Sequence, residues 1–200
     1  MLKTKKKGFL IIISSPSGAG KTTIAKKLLN KIPNSKLSIS FTTRSPRANE
    51  FHGVDYYFVT LKDFKERIKK NFFLEYARVF DNLYGTLKSE ISRDLKKGKN
   101  ILLDIDWQGA RQIKKKFKKD LISIFILPPS LKVLKKRLSK REKSKNFIKK
   151  RMSKARREIM HWHEYDYAVI NDNLENCLSK IFNIITLHKL KPAMQEIVKY

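Results

Sequence analysis

Residues 9–23 read FLIIISSPSGAGKTT, and this stretch decides the fold. Its first five residues form a short apolar run, which is typical of a buried strand. The run passes into a Gly-containing turn and then into a helix-forming segment over residues 24–31. A strand, a glycine-containing loop that ends in Lys and Thr, and a helix predict a phosphate-binding loop, or P-loop.

The residue types of this loop fit the binding of a polyphosphate. Gly18 and Gly20 allow the backbone amides to approach phosphate closely, and the following helix adds its positive dipole end. Lys21 is placed to reach the β and γ phosphates, and the Thr22 hydroxyl to bind Mg²⁺. The first Gly of the usual pattern is replaced by Ser15. A turn that merely joins strand and helix is the alternative, but the strand, both glycines, Lys and Thr agree with the motif. The predicted nucleotide-binding residues are Ser15, Pro16, Ser17, Gly18, Ala19, Gly20, Lys21, Thr22 and Thr23.

The composition predicts an ordinary globular domain. The chain has 200 residues, of which 41% are hydrophobic, and this length favours one domain with inserted subdomains. The single cysteine, Cys177, excludes an internal disulfide and fits a reducing compartment. The apolar run near the N-terminus is too short for a secretory signal, and no segment approaches the length of a spanning helix. We therefore expect a cytoplasmic protein without membrane association.

The chain is strongly basic, with 46 Lys and Arg, 18 Asp and Glu and a formal net charge of +28. Such a balance suggests nucleic acid as a partner. However, no aromatic-rich RNA-binding signature accompanies the lysine runs, so specific nucleic-acid binding is not expected, although it stays open as an alternative. Residues 111–157 alone contain 20 Lys or Arg and two acidic residues. A cationic helical segment late in a P-loop protein predicts a lid over phosphates.

The rest of the pattern predicts an α/β fold of the P-loop NTPase type. Two further apolar runs, residues 100–105 and 121–127, read as buried strands, and a last strand covers 165–171. Such strands separated by helices (87–97, 107–117 and 174–187) indicate a parallel sheet covered on both faces. Residues 42–86 break this rhythm and suggest an inserted strand-rich module. In and beside it we expect strands at 37–41 and 54–59 and a helix at 61–71, followed by a run of aromatic and apolar residues at 72–80.

Six segments, in order and spacing, resemble the guanylate kinase family: SSPSGAGKTT, SFTTRSPRANEFHGVDYYF, FLEYARVFDNLYGT, ILLDIDWQGA, SIFILPPS and EYDYAVIND. The resemblance covers about residues 8–188, and that family typically lacks the leading loop glycine. It implies a parallel-sheet core (about 8–36, 87–129 and 160–188), an inserted GMP-binding module (about 37–86) and a helical lid (about 130–159).

The resemblance also implies the reaction, which is transfer of the γ-phosphoryl group of MgATP to GMP, and to dGMP, giving ADP and GDP. Mg²⁺ would be held by Thr22 and Asp104. By the same resemblance, guanine and the acceptor phosphate would be bound by Ser40, Arg44, Arg47, Tyr56, Glu75, Tyr84, Thr86 and Asp106. Arginine pairs with phosphate oxygens, and carboxylates accept from the N–H groups of guanine, which agrees with these residue types. For Asp106 the alternative is a simple cap on the helix that starts at residue 107.

The implied catalytic residues are Lys21, Arg44 and three lid arginines, Arg137, Arg141 and Arg151, while Asn171 would contact adenine. Charge neutralisation and positioning would then drive an in-line transfer. A metal site at His161, His163 and Glu164 is disfavoured, because histidines two apart on a helix face different ways.

Two further alternatives stay open: a kinase of the same fold with another acceptor, and a non-enzymatic interaction module. The sequence leaves the oligomeric state, monomer or homo-oligomer, undetermined.

Overall fold

The computed structural model describes residues 3–6, 8–117, 120–141, 144–192 and 195–198. The strands in these ranges are β1 (Lys3–Lys6), β2 (Leu10–Ser14), β3 (Ser35–Leu37), β4 (Phe41–Thr42), β5 (Tyr57–Phe58), β6 (Phe73–Val79), β7 (Asn82–Leu87), β8 (Asn100–Asp104), β9 (Leu121–Leu127), β10 (Tyr167–Ile170) and β11 (Gln195–Val198). The helices are α1 (Lys21–Lys31), α2 (Leu61–Lys69), α3 (Lys88–Lys96), α4 (Trp107–Lys116), α5 (Leu131–Arg141), α6 (Lys145–Ile159) and α7 (Leu174–His188).

The core is a five-stranded sheet in the order β10-β9-β2-β8-β3, and every neighbouring pair in it is parallel. Alternate side chains of β2 face opposite sides. Ile11 and Ile13 join the cluster that contains the buried residues of α1 and α7, whereas Leu10 and Ile12 join the cluster of α3 and α4. Helices therefore cover both faces, which confirms the predicted parallel α/β core.

A second sheet in the order β5-β4-β7-β6 is formed mostly by antiparallel pairs. Helix α2 packs on it through Phe64, whose ring stacks on Phe73 with a centroid distance of 4.5 Å. This sheet confirms the strand-rich insertion. The strand predicted over residues 54–59 is only Tyr57–Phe58, because Gly53 has φ +78° and Asp55 accepts a hydrogen bond from the Phe51 amide, which together form a turn.

The single strand predicted over residues 37–41 is wrong, since this segment passes from one sheet to the other. The Ser38 amide still donates to the Leu102 carbonyl of the core sheet, whereas the Ser40 carbonyl accepts from the Tyr57 amide of the second sheet. The chain thus changes sheets within two residues. This crossing places Ser40 between the two sheets.

The two ends of the chain pair as an antiparallel ribbon of β1 and β11, with Lys3 opposite Val198. Cys177 lies fully buried in the core. Among the helices in the described ranges, none combines the length and the apolar character needed to cross a membrane.

His188 ends helix α7 in an apolar environment. It is 6% exposed, its ring stands 5.2 Å from that of Phe9, and neither ring nitrogen has a hydrogen-bond partner among the residues that the structure describes. Burial lowers the pKa of His188 below its usual 6.5, Lys191 lowers it further, and Asp166 opposes the shift. The folded protein therefore favours the neutral ring.

The burial of His188 predicts a loss of stability in mild acid. When the pKa of a base is lower in the folded than in the unfolded protein, the unfolded protein binds more protons between the two values. The free energy of unfolding is therefore unaffected above the unfolded-state pKa and falls as the pH drops below it. We expect the urea midpoint of the wild type to fall relative to that of His188→Phe between about pH 8 and about pH 5.5, because Glu75, whose raised pKa acts in the opposite direction, contributes equally to both proteins. The exposed His163 provides the control, since His163→Gln is expected to keep the wild-type fall. Parallel pH dependences of the midpoint in the wild type and His188→Phe would contradict this account of the ring.

Candidate active site

The loop between β2 and α1 has a conformation that requires its two glycines. Gly18 and Gly20 have φ of +90° and +101°, in the region that L side chains rarely adopt. A Cβ at Gly18 would lie 2.8 Å from Leu138 of α5, and one at Gly20 would lie 2.7 Å from the Asn171 amide nitrogen. The loop therefore follows its neighbours closely.

Lys21, Thr22 and Asp104 form the polar centre beside this loop. Lys21 Nζ lies 2.9 Å from Asp104 Oδ1 and donates to the Ile105 carbonyl at 3.3 Å. Burial alone would lower the pKa of Lys21, but the Asp104 carboxylate raises it well above its usual value. The lysine is therefore held in its charged form.

The same centre offers oxygen ligands for a hard cation. Thr22 Oγ1 donates to Asp104 Oδ2 at 3.0 Å, which brings a hydroxyl and a carboxylate together at the loop. Within the described parts of the chain, no group of three or more His, Cys, Asp or Glu could hold a metal. A hydroxyl and one carboxylate fit Mg²⁺, which takes few protein ligands and completes its shell with phosphate oxygens and water.

A second cationic group lies on the strand-rich module. Arg44 pairs with both carboxylate oxygens of Glu50 at 2.9 Å, and Glu50 also accepts from the Arg47 amide at 2.9 Å. The Arg44 guanidinium lies 5.4 Å from the Tyr56 ring centroid, and the Tyr56 and Tyr84 rings are 5.9 Å apart. Burial raises the pKa of Tyr56 to about 12, so its hydroxyl stays a donor at neutral pH. These residues form a cationic, donor-rich cluster suited to phosphate.

Glu50 was not expected from the sequence, since it lies in a turn-rich stretch without periodicity. Its carboxylate holds Arg44 in place and lies 3.7 Å from Arg47. Burial alone would lower the pKa of Arg44, and the hydrogen bond with Glu50 raises it. Glu50 therefore fixes the direction of the two arginines that the sequence predicted.

Glu75 and Asp106 both line the site, the first on β6 and the second at the start of α4. Glu75 is 4% exposed on β6 and accepts a hydrogen bond from Thr86 Oγ1 at 2.5 Å. Burial raises its pKa to about 7; the Thr86 hydrogen bond opposes this shift and the negative charge of Asp106 adds to it. Asp106 caps α4, accepting from the amides of Gln108 and Gly109 at 3.0 and 3.1 Å.

The structural alternative for Asp106 is thus confirmed as one of its roles. Asp106 lies beyond β8, which ends at Asp104. The cap, and not strand alternation, fixes the position of Asp106.

One cavity of about 300 Å³ joins the loop, the acidic pair and the cationic cluster. Most of the predicted site residues line it: Ser15, Pro16, Ser17, Gly18, Gly20, Lys21, Thr22, Thr23, Ser40, Arg44, Arg47, Tyr56, Glu75, Tyr84, Asp104, Asp106 and Arg151. Four predicted residues lie outside its lining: Ala19, Thr86, Arg137 and Asn171. Arg141 ends helix α5, but its side chain lies outside the described part of the structure.

Arg137 and Asn171 hold the backbone of the loop. Asn171 is buried and donates to the Ala19 carbonyl at 2.7 Å, while Arg137 donates to the Asn171 carbonyl at 3.0 Å and to Ala19 at 3.5 Å. Both side chains therefore stabilise the loop from outside the cavity. Their contacts with the transferred phosphoryl group and with adenine stay predictions.

Helix α6 reaches the loop from the other side. Arg151 Nη1 donates to Ser17 Oγ at 3.2 Å, and the buried Glu158 accepts from the Ser17 amide at 3.1 Å. Burial raises the pKa of Glu158. Glu158 was missed, although a carboxylate that follows a long basic stretch was an available signal. Phe80 and Phe147, which also line the cavity, gave no sequence signal.

His161 belongs to a separate surface cluster. Its ring stacks on Trp107 at 3.8 Å, and its Nδ1 lies 2.6 Å from Glu164, which also pairs with Arg111 at 2.5 Å. The arginine and the histidine lower the pKa of Glu164 to about 2. This arrangement is a stacked ion-pair cluster on the protein surface.

The environment of Glu75 predicts an unusual carboxyl titration. We expect Glu75 to titrate near pH 7 in the ligand-free protein, and higher in Thr86→Val, because the hydroxyl stabilises the ionised form. Carboxyl ¹³C chemical shifts followed against pH measure both values, and Glu75→Gln identifies the resonance by its disappearance. A Glu75 titration at the usual carboxyl pKa would contradict the burial, and a downward shift in Thr86→Val would contradict the role of the hydroxyl.

Comparison with known proteins places this geometry in a family. The family model described as guanylate kinase matches residues 7–188. A guanylate kinase of Rickettsia prowazekii is 49% identical over 95% of this chain and 96% of its own length, and one of Paramagnetospirillum magneticum is 45% identical over 95% and 89%. The crystal structure of guanylate kinase from Anaplasma phagocytophilum superposes with a TM-score of 0.83 at 34% identity, covering 96% of this chain and 92% of that one. Because a family model and near full-length relatives agree with the fold, this chain belongs to the guanylate kinase family.

Proposed function

We propose that this chain transfers the γ-phosphoryl group of ATP to GMP, giving ADP and GDP. One observation supports this most strongly: a single cavity is lined both by the phosphate loop with Lys21 and by the Arg44 cluster with Glu75. A donor polyphosphate on the loop and an acceptor phosphate on the arginines would meet in that cavity. Direct transfer needs this proximity, since positioning supplies much of the rate.

The donor side follows from the loop. The loop amides and Lys21 would hold the β and γ phosphates, and Thr22 with Asp104 would hold Mg²⁺, which neutralises the phosphate charge. Arg151 already lies at Ser17, so we propose it as the lid residue that compensates the charge of the transferred group. Arg137 and Arg141 are proposed for the same role, and Asn171 for the adenine contact.

The acceptor side explains the choice of base. The N–H edge of guanine donates hydrogen bonds, and ionised Glu75 and Asp106 are acceptors at the same place. Adenine presents a bare ring nitrogen there, which would leave a carboxylate unpaired in a buried site. Ser40 and Thr86 are proposed to complete the base pocket, and Arg44, Arg47, Tyr56 and Tyr84 to hold the phosphate.

Three finer proposals belong with this function. We include dGMP as an acceptor, because the proposed residues recognise base and phosphate groups that it shares with GMP. We divide the chain into the core, the GMP-binding module (about 37–86) and the lid (about 130–159), whose closure would exclude water from the reaction. We place the protein in the cytoplasm, because a lone buried cysteine fits a reducing compartment.

A coupled ADP-release assay with ATP and Mg²⁺ tests the reaction directly. Turnover is expected with GMP and dGMP but not with AMP, CMP or UMP. Lys21→Ala is expected to lower kcat by about a thousandfold or more with the fold retained, because it removes the cation at the transferred phosphate. Turnover of AMP at a comparable rate, or a nearly normal rate in Lys21→Ala, would contradict the assignment.

Gly109 offers a selective test of the base pocket. A Cβ at this position would lie 2.4 Å from Glu75 Oε2, so Gly109→Ala must displace the carboxylate. We expect the KM for GMP to rise by about tenfold or more, with the KM for ATP unchanged, since a charged hydrogen bond is disturbed.

Ala110→Gly is the control for Gly109→Ala, since it alters the same helix without reaching Glu75. It is expected to leave both KM values near wild type. Equal changes in the two KM values of Gly109→Ala would contradict the assigned pocket.

A further inference from the structure

The turn between β6 and β7 carries a strained aromatic residue. Phe80 has φ +55°, a conformation that is costly for a bulky L residue and that persists only where the surroundings enforce it. Its side chain is half-buried and lines the cavity, although it lies on the strand-rich module, far along the chain from the phosphate loop.

Phe80 contacts helix α6 through two cations. Lys154 Nζ lies 4.2 Å from the Phe80 ring centroid, and the Arg151 guanidinium carbon lies 5.6 Å from it. Arg151 also lies 4.5 Å from the ring of Phe147 on its own helix. The guanidinium is therefore in contact with one aromatic ring from each of the two elements.

Helix α6 also contacts the phosphate loop, through Arg151 and Glu158. Arg151 donates to Ser17 Oγ, and Glu158 accepts from the Ser17 amide. Helix α6 thus bridges the donor loop and the module that carries the acceptor cluster. The half-buried Phe80 provides the contact between α6 and the strand-rich module.

A neighbouring ion pair joins the same two elements. Lys150 Nζ lies 3.1 Å from Asp81 Oδ2, but these side chains are 60% and 83% exposed. Exposed pairs of this kind contribute little, because water and salt screen them. The aromatic contact of Phe80 therefore dominates this attachment.

We propose that Phe80 is a positioning residue for Arg151: it ties the lid arginine to the strand-rich module, so that Arg151 is aligned over the phosphate loop when that module is in place. This inference rests on the proposed phosphoryl transfer. It assigns to Phe80 no contact with the reacting atoms, and its effect on the reaction passes through Arg151.

Phe80→Leu and Phe80→Tyr separate the aromatic contact from simple bulk. Phe80→Leu is expected to lower kcat by about fivefold to tenfold, the size of one cation–π contact, with both KM values within about twofold of wild type. Phe80→Tyr retains the ring and is expected to retain the rate. Lys150→Ala removes the exposed ion pair between the same elements and serves as the matched control, expected to change kcat by less than about twofold.

A double-mutant cycle with Arg151→Ala gives the decisive result. If Phe80 acts through Arg151, Phe80→Leu does not lower kcat any further in the Arg151→Ala background. The proposal is overturned if Phe80→Leu keeps the wild-type kcat, if its loss persists undiminished without Arg151, or if it mainly raises the KM for GMP. Absence of turnover in the wild type would instead refute the proposed function.

Discussion

The ion pair between Lys21 and Asp104 is the contact on which the site depends. It joins the loop that follows β2 to the end of β8, and these strands are parallel neighbours, with Ile13 opposite Asp104. Side chains at the carboxyl ends of adjacent parallel strands meet at one edge of the sheet, where α/β folds bind ligands. The position of Thr22 against the same carboxylate follows from the helix that begins at Lys21. The fold of the core thus places a cation, a hydroxyl and an acid together before any substrate is bound.

The proposed acceptor half of the cavity depends on a buried carboxylate. Glu75 is surrounded by protein on the second sheet, where burial costs free energy unless a donor satisfies the charge. Thr86 supplies one such donor, and Gly109 lets α4 approach closely enough to bring Asp106 beside it. A pocket of this type selects a ligand with N–H donors, because a ligand without them leaves the buried carboxylate oxygens without hydrogen-bond partners. The proposed selectivity for guanine and the raised pKa of Glu75 therefore have one cause, which is desolvation.

Sequence patterns predicted the helices and strands well wherever a short stretch of residues determines them. Strand β9 has the predicted bounds, and the P-loop has the predicted strand, turn and helix. The break between β3 and β4 was missed because it depends on which distant strand each backbone group meets. Glu50 and the positive φ of Phe80 escaped for the same reason, since both are set by contacts between elements. The resemblance supplied cavity residues outside the loop, such as Arg44, Glu75 and Asp106, but it did not show that Arg137 and Asn171 bind the loop backbone.

The central claim is that donor and acceptor react directly within one cavity. The measurement that tests it most directly is the stereochemical course at phosphorus, determined with ATP whose γ-phosphoryl group is made chiral with oxygen isotopes. In-line transfer between two bound substrates inverts the configuration in the GDP formed. Inversion is the result that this account predicts. Retention would mean two successive transfers through a phosphorylated residue of the protein, and it would contradict the account.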